Sequence, residues 1–284
     1  PALRRRFEAA LGRSGPARSA PAITSSPAAG GTHALTVATF STQDHGGAGI
    51  GSQRRVEALR RAGVDAHLYC ALKKTDYPHV HQVPLTPPLT PDSGLEEIRQ
   101  VWRDRSVLTR AEHPALASRE LFSKAGSVID FRDLRLIFDA ADIVHMHWVA
   151  GLFDHDHADT LADTPVVWTL ADMNAFTGGC HYSEGCTNYR NECRDCPLLE
   201  AGSTLAHETW KTKRDAYAKI RTLHVICPSE WLAGCARESA LFGDRPVHMI
   251  PNALPVDRFS PTNRLVARQR LGLPLDRKLV VFGA

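Results

Sequence analysis

Apolar and polar positions along the chain follow two alternating periods. Short apolar runs predict buried strands at residues 33–41, 65–72, 141–148, 164–170, 223–229 and 246–252. Apolar residues at helical spacing predict helices at residues 95–102, 116–122, 131–140 and 207–220, and Ser229 is placed to cap a further helix. Strands that alternate with helices are typical of a parallel sheet, so the sequence predicts an α/β, Rossmann-like, doubly wound fold.

Other segments lack such periods. Residues 1–32 are rich in Ala, Arg, Pro, Ser and Gly, which indicates a flexible linker or tail. Prolines throughout residues 78–94 predict an extended loop. The final stretch "KLVVFGA", residues 278–284, predicts a buried strand that runs into a turn. Because a domain rarely ends there, we expect a truncated second domain to follow.

Composition limits the classes of function that the chain can have. With 34 Lys and Arg against 31 Asp and Glu, the net charge is only +3, which does not indicate a nucleic-acid partner. No apolar run reaches the roughly 18 residues of a membrane helix, and no signal-peptide core is evident near residue 1. We therefore expect a cytoplasmic protein, in which clustered cysteines bind metal or stay free more often than they form disulfides.

A glycine-rich turn follows the first predicted strand and precedes a helix. It contains Gly46, Gly47, Ala48 and Gly49. Glycine lets the backbone approach an anion closely, and a helix N-terminus adds unpaired N–H groups. The turn therefore suits a phosphate or pyrophosphate. Its spacing is not GxGxxG, so a tight turn without a ligand is the alternative.

His145 and His147 lie two positions apart on a predicted strand, so both point to the same face of the sheet. Near the carboxyl end of a strand, that face can border an active-site crevice. A packed histidine pair is the alternative. Metal binding by this pair is not indicated, because no third ligand lies nearby in the sequence.

Four of the seven cysteines lie within residues 176–197. They are Cys180, Cys186, Cys193 and Cys196, spaced C-x5-C-x6-C-x2-C. Four thiolates suit a tetrahedral structural zinc, with an iron–sulfur cluster as the second choice. The four thiols could instead form disulfides or stay unliganded, and His181 could replace one cysteine as a ligand. The remaining cysteines fall in strand or helix patterns and are predicted to be buried apolar residues.

A basic segment covers residues 210–221. It carries Lys211, Lys213, Arg214, Lys219 and Arg221. Such a face could make peripheral contact with the inner surface of a membrane through anionic lipid headgroups. An exposed helix face without a partner is the alternative.

Several motifs together resemble one family. These are "HWVAGLF", "PVVWTLADMNAFTGGCHYSEGC", "CRDCP", "PSEWLAGCARES" and "IPNALPVDRFSP". They resemble the GT-B retaining glycosyltransferases of family four, most closely the branch that builds bacterial exopolysaccharides, colanic-acid-like polymers and O-antigens. The resemblance implies two Rossmann-like domains across a cleft. Residues 33–253 would form the acceptor-side domain with a cysteine-rich insertion at 176–200. Residues 254–284 would form the interdomain crossing and the start of the donor-binding domain.

The resemblance also implies an activity, namely transfer of a sugar from a nucleotide-diphosphate sugar to a glycan or lipid-linked saccharide, with retained configuration. The glycine turn at residues 46–49 would lie near the donor phosphates. His145, Trp148, Asn174 and His181 would lie on the acceptor side. Such enzymes usually need no catalytic metal, so a zinc ion held by the cysteines would be structural. The present chain alone should not turn over, because half of the donor site would be missing.

One departure from the family pattern concerns catalysis. Relatives usually read "WTLHDMWAF" where this chain reads "WTLADMNAF", so Ala171 replaces a histidine beside the reacting sugar and Asn174 replaces a tryptophan. We expect Asp172, His147 or His181 to supply the missing contact, with Asp172 and His147 as the catalytic candidates. Alternatively, the chain is a catalytically inactive relative that binds glycans or acts as a scaffold.

A third hypothesis is a metal-sensing or nucleic-acid-binding module built on the cysteines. It predicts a basic face around them. Residues 172–200 instead carry more acidic than basic side chains: the acidic ones include Glu184, Glu192, Asp195 and Glu200, and the basic ones are Arg190 and Arg194. We therefore expect no nucleic-acid partner.

Overall fold

The computed structural model describes residues 35–86, 95–106, 122–256 and 259–281. The tail at 1–32 and nearly all of the helix expected at 116–122 lie outside the described residues. The described residues up to Asn252 form one compact unit, and the described residues from Ala253 form a second, smaller unit.

The first unit contains one seven-stranded sheet. Its strands are β1 (Thr36–Phe40), β2 (Asp65–Cys70), β3 (Val80–Gln82), β4 (Ile143–Met146), β5 (Val166–Thr169), β6 (Leu223–Cys227) and β7 (Val247–Met249). The spatial order is β3-β2-β1-β4-β5-β6-β7, and every neighbouring pair is parallel. The predicted doubly wound α/β class is confirmed.

Helices join these strands. They are α1 (Gly46–Arg61), α2 (Leu95–Ser106), α3 (Arg135–Ala140), α4 (Leu205–Ala218) and α5 (Glu230–Glu238). Ser229 caps α5 as predicted, because its Oγ accepts a hydrogen bond from the Leu232 backbone at 3.3 Å. The start of the helix predicted at 131–140 is 3-10, over Phe131–Leu134, before α3 begins.

Side chains alternate between the two faces of the sheet. On one face, Val56 of α1 packs with Leu68 and Val80. On the other, the Phe40 ring lies 5.5 Å from the ring of Phe138 in α3. The central strands β4 and β5 are nearly continuous in burial, as expected for a parallel sheet covered on both sides.

The structure corrects two predictions. The loop predicted at 78–94 contains β3, a three-residue edge strand in which only Val80 is buried. A strand of three residues is too short to show an alternating pattern of apolar and polar residues in the sequence. The strand predicted at 278–284 is not formed over residues 278–281. A strand requires a neighbour, and the described part of the second unit contains only α6 (Arg264–Arg270) as a regular element.

Within the described residues, no helix is both long enough and apolar enough to cross a membrane.

Candidate functional site

The strand order reverses between β1 and β4. In doubly wound sheets, ligands bind outside the carboxyl ends of the strands at this switch point. Beyond β1 the chain leads to the glycine turn, and beyond β4 it leads to His147 and Trp148. The two segments are joined, because the backbone N–H of Thr42 donates to the carbonyl of Trp148 at 2.7 Å and the Thr42 hydroxyl donates to that of Ala150 at 2.8 Å. The predicted donor-side and acceptor-side groups therefore lie next to each other, beyond the carboxyl ends of β1 and β4.

The glycine turn forms the start of α1. Gly46 has a φ of 67°, in the left-handed region that favours glycine. A Cβ at Gly49 would lie 2.4 Å from the carbonyl carbon of Asp44. The first turn of α1 carries no acidic residue, and His45 makes no side-chain capping bond to it. Backbone N–H groups of this turn, which includes Gly47 and Ala48, can therefore receive an anion.

Asp44 anchors this turn to the loop after β2. Its carboxylate accepts hydrogen bonds from the backbone N–H of Lys74 at 2.9 Å and of Thr75 at 2.8 Å, and from the Thr75 hydroxyl at 2.6 Å. Burial raises the pKa of Asp44, but the bonds from Thr75 and Lys74 outweigh that effect and hold the pKa below its ordinary value. The carboxylate therefore stays ionised and rigidly held.

Two glycine substitutions in α1 should act in opposite directions. Gly49→Ala should lower the free energy of unfolding by about 2 kcal/mol, because the new methyl group meets the backbone of Asp44. Gly51→Ala, which has open space around its Cβ position, should raise it by about 0.5 kcal/mol. Urea unfolding measures both. Equal stability of Gly49→Ala and the wild type would contradict the described packing of the turn.

Two buried histidines extend along β4 on the face that α1 covers. The ring centroids of His145 and His147 lie 4.4 Å apart. His145 Nε2 lies 2.8 Å from the hydroxyl of Thr169, to which the guanidinium of Arg55 also donates at 3.4 Å. His147 Nε2 is buried and has no hydrogen-bond partner among the residues that the structure describes. An unpartnered buried nitrogen at a switch point is a candidate ligand contact.

Both histidines are neutral. Burial lowers the pKa of His145 to about 3, and the charge of Arg55 adds to the effect. Burial also lowers the pKa of His147 well below its ordinary value, with smaller effects from His145 and Arg55. Each ring therefore offers one donor and one acceptor nitrogen at neutral pH.

Because His145 is buried and neutral, we expect the free energy of unfolding to decrease in acid. Its folded pKa lies below the unfolded one, so between these values the unfolded chain binds more protons and stability falls as pH decreases. From pH 7 to pH 5, wild type should lose about 2 kcal/mol more than His145→Gln. Urea unfolding of both proteins at the two pH values measures this difference. Parallel losses would show that His145 is not held neutral.

Asp172 lies at the centre of the predicted acceptor side. Its Oδ2 accepts from the indole N–H of Trp148 at 2.8 Å and lies 2.6 Å from Nδ1 of His181. Its Oδ1 accepts from the backbone of Asn174 at 2.9 Å. Burial raises the pKa of Asp172, but the bonds from His181, Asn174 and Trp148 lower it further than burial raises it. The structure thus gathers three predicted residues around the ionised carboxylate of a fourth, Asp172.

This arrangement continues to Ser123, which the sequence did not single out. The Ser123 hydroxyl lies 2.9 Å from Nε2 of His181, and its backbone N–H donates to the carbonyl of Gly179 at 2.8 Å. A serine, a histidine and an aspartate that are linked by hydrogen bonds can activate the serine hydroxyl as a nucleophile. Here the Ser123 side chain is fully buried, with 1% exposure. These hydrogen bonds between Ser123, His181 and Asp172 therefore hold the cysteine-rich segment in place, and they do not present a hydroxyl group to a substrate.

The four clustered cysteines line one small cavity. Backbone N–H groups hydrogen-bond three of the sulfurs: Gly178 donates to Cys193 at 3.1 Å, Asn188 to Cys186 at 3.4 Å, and Leu198 and Leu199 to Cys196. Burial raises the pKa of Cys180 to about 12 and of Cys193 to about 11. Thiolates there need a compensating cation. No three of these sulfurs reach the mutual 4.8 Å spacing of a close metal-ligand group in this structure.

Backbone strain is concentrated in the same segment. Among the described residues, the non-glycine residues with a positive φ are Glu184 (46°), Cys193 (50°) and Asp195 (52°). Each such conformation costs on the order of 1 kcal/mol and persists only where other interactions enforce it. Two of the three lie within the C-x2-C turn.

Lys213 corrects the prediction of a wholly exposed basic face on α4. Its side chain is buried, and Nζ donates to the carbonyls of Asn174 at 2.6 Å and Thr177 at 3.1 Å. Burial lowers the pKa of Lys213 to about 8. The exposed Arg214, Lys219 and Arg221 each pair with an aspartate. The ammonium group of Lys213 thus anchors the backbone at the start of the cysteine-rich segment.

A further group of metal-capable side chains consists of Asp130, Asp154 and His157, whose ligand atoms all lie within 4.8 Å of one another. Its hydrogen bonds are satisfied within the protein. Arg132 forms an ion pair with Asp130, and Asp154 accepts from the backbone of Phe131 at 2.9 Å and lies 2.9 Å from Nδ1 of His157. These contacts stabilise the turn that carries the group.

Two curated proteins are similar to this chain in sequence, although no family model matches it. The chain is 27% identical over 241 positions to a D-inositol 3-phosphate glycosyltransferase of Xylanimonas cellulosilytica, covering 72% of this chain and 54% of that protein. It is 29% identical over 98 positions to the putative colanic acid biosynthesis glycosyl transferase WcaC of Escherichia coli K12, covering 32% of this chain and 24% of that protein.

Among solved structures, sucrose-phosphate synthase from Thermosynechococcus elongatus aligns with 85% of this chain and 53% of its own, at 14% identity and a TM-score of 0.46. The chain spans about half the length of the first curated relative. Both curated relatives are named as glycosyltransferases, which confirms the resemblance of this chain to glycosyltransferases.

Proposed function

We propose that this chain is the acceptor-side half of a retaining glycosyltransferase. The enzyme would transfer a sugar from a nucleotide-diphosphate sugar to a saccharide acceptor, free or lipid-linked. The observation that carries the proposal is the unpartnered Nε2 of His147, which lies at the same sheet edge as the open helix start at Gly46. The similarity to glycosyltransferases over 72% of the chain supports it.

The donor diphosphate would meet the start of α1. In the reaction, the bond between the anomeric carbon and the diphosphate oxygen breaks, and negative charge grows on the departing diphosphate. Backbone N–H groups of the Gly46–Gly49 turn and the positive end of the helix dipole would stabilise that charge. Asp44 does not compete for these groups, because its oxygens are occupied by Lys74 and Thr75.

The acceptor hydroxyl would form the new bond on the same face of the sugar, and its proton would pass to the departing diphosphate. The neutral ring of His147 would hydrogen-bond the reacting sugar in place of the histidine that Ala171 replaces. Asp172 would act as a positioning residue, since both of its oxygens already have protein partners. It would hold Trp148, Asn174 and His181 in place, while His145 would support the His147 ring.

We also propose a structural zinc site at Cys180, Cys186, Cys193 and Cys196. Three observations favour it: the thiols line one cavity, backbone N–H groups donate to three sulfurs, and the C-x2-C turn holds strained φ values. Ligands of one zinc ion lie about 3.8 Å apart, since Zn–S bonds measure about 2.3 Å. The segment would therefore have to contract around the ion. Zinc would rigidify the loop beside the acceptor.

The alternative function is an inactive, glycan-binding relative. Ala171 favours it, because this exposed position immediately precedes Asp172 and offers no side-chain hydrogen bond. An Ala171→His variant discriminates between the two functions, since only a decayed enzyme should gain activity from it.

The test is a transfer assay that compares residues 1–284 with the protein extended by a donor-binding domain. Only the extended protein should release a nucleoside diphosphate in an acceptor-dependent manner, and the product should keep the donor's anomeric configuration by NMR. Robust transfer by residues 1–284 alone, or inversion of configuration, would overturn the proposal.

A further inference from the structure

Three histidines lie at the β2–β3 edge of the sheet, on the face opposite α1. His67 lies in β2, His81 in β3, and His79 immediately before β3. The register pairs Tyr69 with His81. Because side chains alternate along strands, residues 67, 69, 79 and 81 share one face. His145 and His147 lie on the other face, so this cluster is separate from the candidate active site.

Two imidazole nitrogens converge in this cluster. Nδ1 of His67 lies 2.9 Å from Nε2 of His81. Two nitrogen ligands at about 2.0–2.1 Å from one ion and at right angles to each other are about 2.9 Å apart. The His79 ring stands edge-on to that of His67, with centroids 5.6 Å apart. The side chain of His67 is 30% exposed, so the pair is open to an incoming ion.

Asp65 holds His67 in a suitable tautomer. Its Oδ1 lies 3.2 Å from Nε2 of His67, and Arg60 donates to the same carboxylate at 2.8 Å. An ionised carboxylate can only accept, so Nε2 of His67 carries the proton and Nδ1 presents its lone pair towards His81. Histidine ligands of metal ions are commonly held by a carboxylate in this way.

We propose that His67 and His81 together bind a divalent late first-row transition-metal ion that accepts ligands at right angles, such as Ni²⁺ or Cu²⁺. Imidazole ligands suit these ions, whereas Mg²⁺ and Ca²⁺ prefer oxygen. The site does not depend on the proposed glycosyl transfer.

Titration of the chain with Ni²⁺ by calorimetry tests the site. His67→Gln and His81→Gln should each weaken binding at least about 10-fold, and Asp65→Asn should weaken it by about 10- to 100-fold through loss of the orienting carboxylate. Ni²⁺ should also broaden the NMR signals of residues in β2 and β3. Circular dichroism should show that the exposed substitutions leave the fold intact.

The matched control is His224→Gln. It disrupts the other cross-strand histidine pair, in which Nδ1 of His224 lies 3.2 Å from Nε2 of His248. This variant should bind Ni²⁺ within about twofold of wild type. Unchanged binding by His81→Gln would overturn the proposal, and it would show that the His67–His81 contact is a hydrogen bond only. All of these variants keep the four clustered cysteines, so a difference in Ni²⁺ binding between wild type and His81→Gln reports on the histidine pair.

Discussion

Replacing Cys193 by serine should remove about one zinc ion per chain and lower the free energy of unfolding by about 3 kcal/mol. Cys193 is buried, adopts a φ of 50° and accepts the Gly178 N–H. Without the ion, its strained turn and the raised pKa values of the neighbouring thiols would be uncompensated. Elemental analysis and urea unfolding measure the two effects.

Cys235→Ser is the matched control, because Cys235 is half-buried on α5 outside the cysteine-rich segment. It should retain the zinc and most of the stability. If Cys193→Ser does not fold, removal of zinc from wild type by a chelator should expose four additional reactive thiols. If wild-type protein is purified without metal and all seven of its thiols are already reactive, the zinc site is contradicted.

Replacing His147 by phenylalanine should lower turnover of the extended protein at least about 100-fold while leaving the fold intact or slightly stabilised. Phenylalanine keeps a ring against His145 but removes the unpartnered Nε2, and a buried nitrogen without a partner costs about 1–3 kcal/mol. Loss of activity together with unchanged or higher stability is the signature of a group kept for function. Steady-state kinetics and thermal unfolding measure both.

His224→Gln serves as the control for this substitution and should leave turnover within about twofold of wild type. Asp172→Asn should lower turnover as well, but through disorder of the residues it holds, so KM for the acceptor should rise along with the loss in kcat. Full activity of His147→Phe would contradict the assigned contact and would leave Asp172 or His181 as the group that meets the sugar.

Strong local patterns made most of the sheet predictable. The short runs that form β4 and β5 are mostly apolar and nearly continuous in burial, because both faces of a parallel sheet are covered. β3 was missed because three residues on an edge bury only one side chain. The expected strand at 278–284 failed over its described part because an apolar run forms a strand only with a neighbour.

At the site, sequence motifs predicted residue types but not their partners. Asp172, Trp148, Asn174 and His181 were singled out separately, and only the fold shows that they share one carboxylate. Ser123 is distant in sequence and has no motif. Lys213 could have been found, because it lies three residues after Trp210 and four before Tyr217, on the buried side of α4.

The most direct test of the central claim is mass spectrometry of saccharide acceptors incubated with nucleotide-diphosphate sugars and the extended protein. The account predicts an acceptor product that is heavier by one sugar residue, with one nucleoside diphosphate released per product. Saccharide binding without transfer by wild type, together with transfer by Ala171→His, would contradict the account and identify an inactive relative.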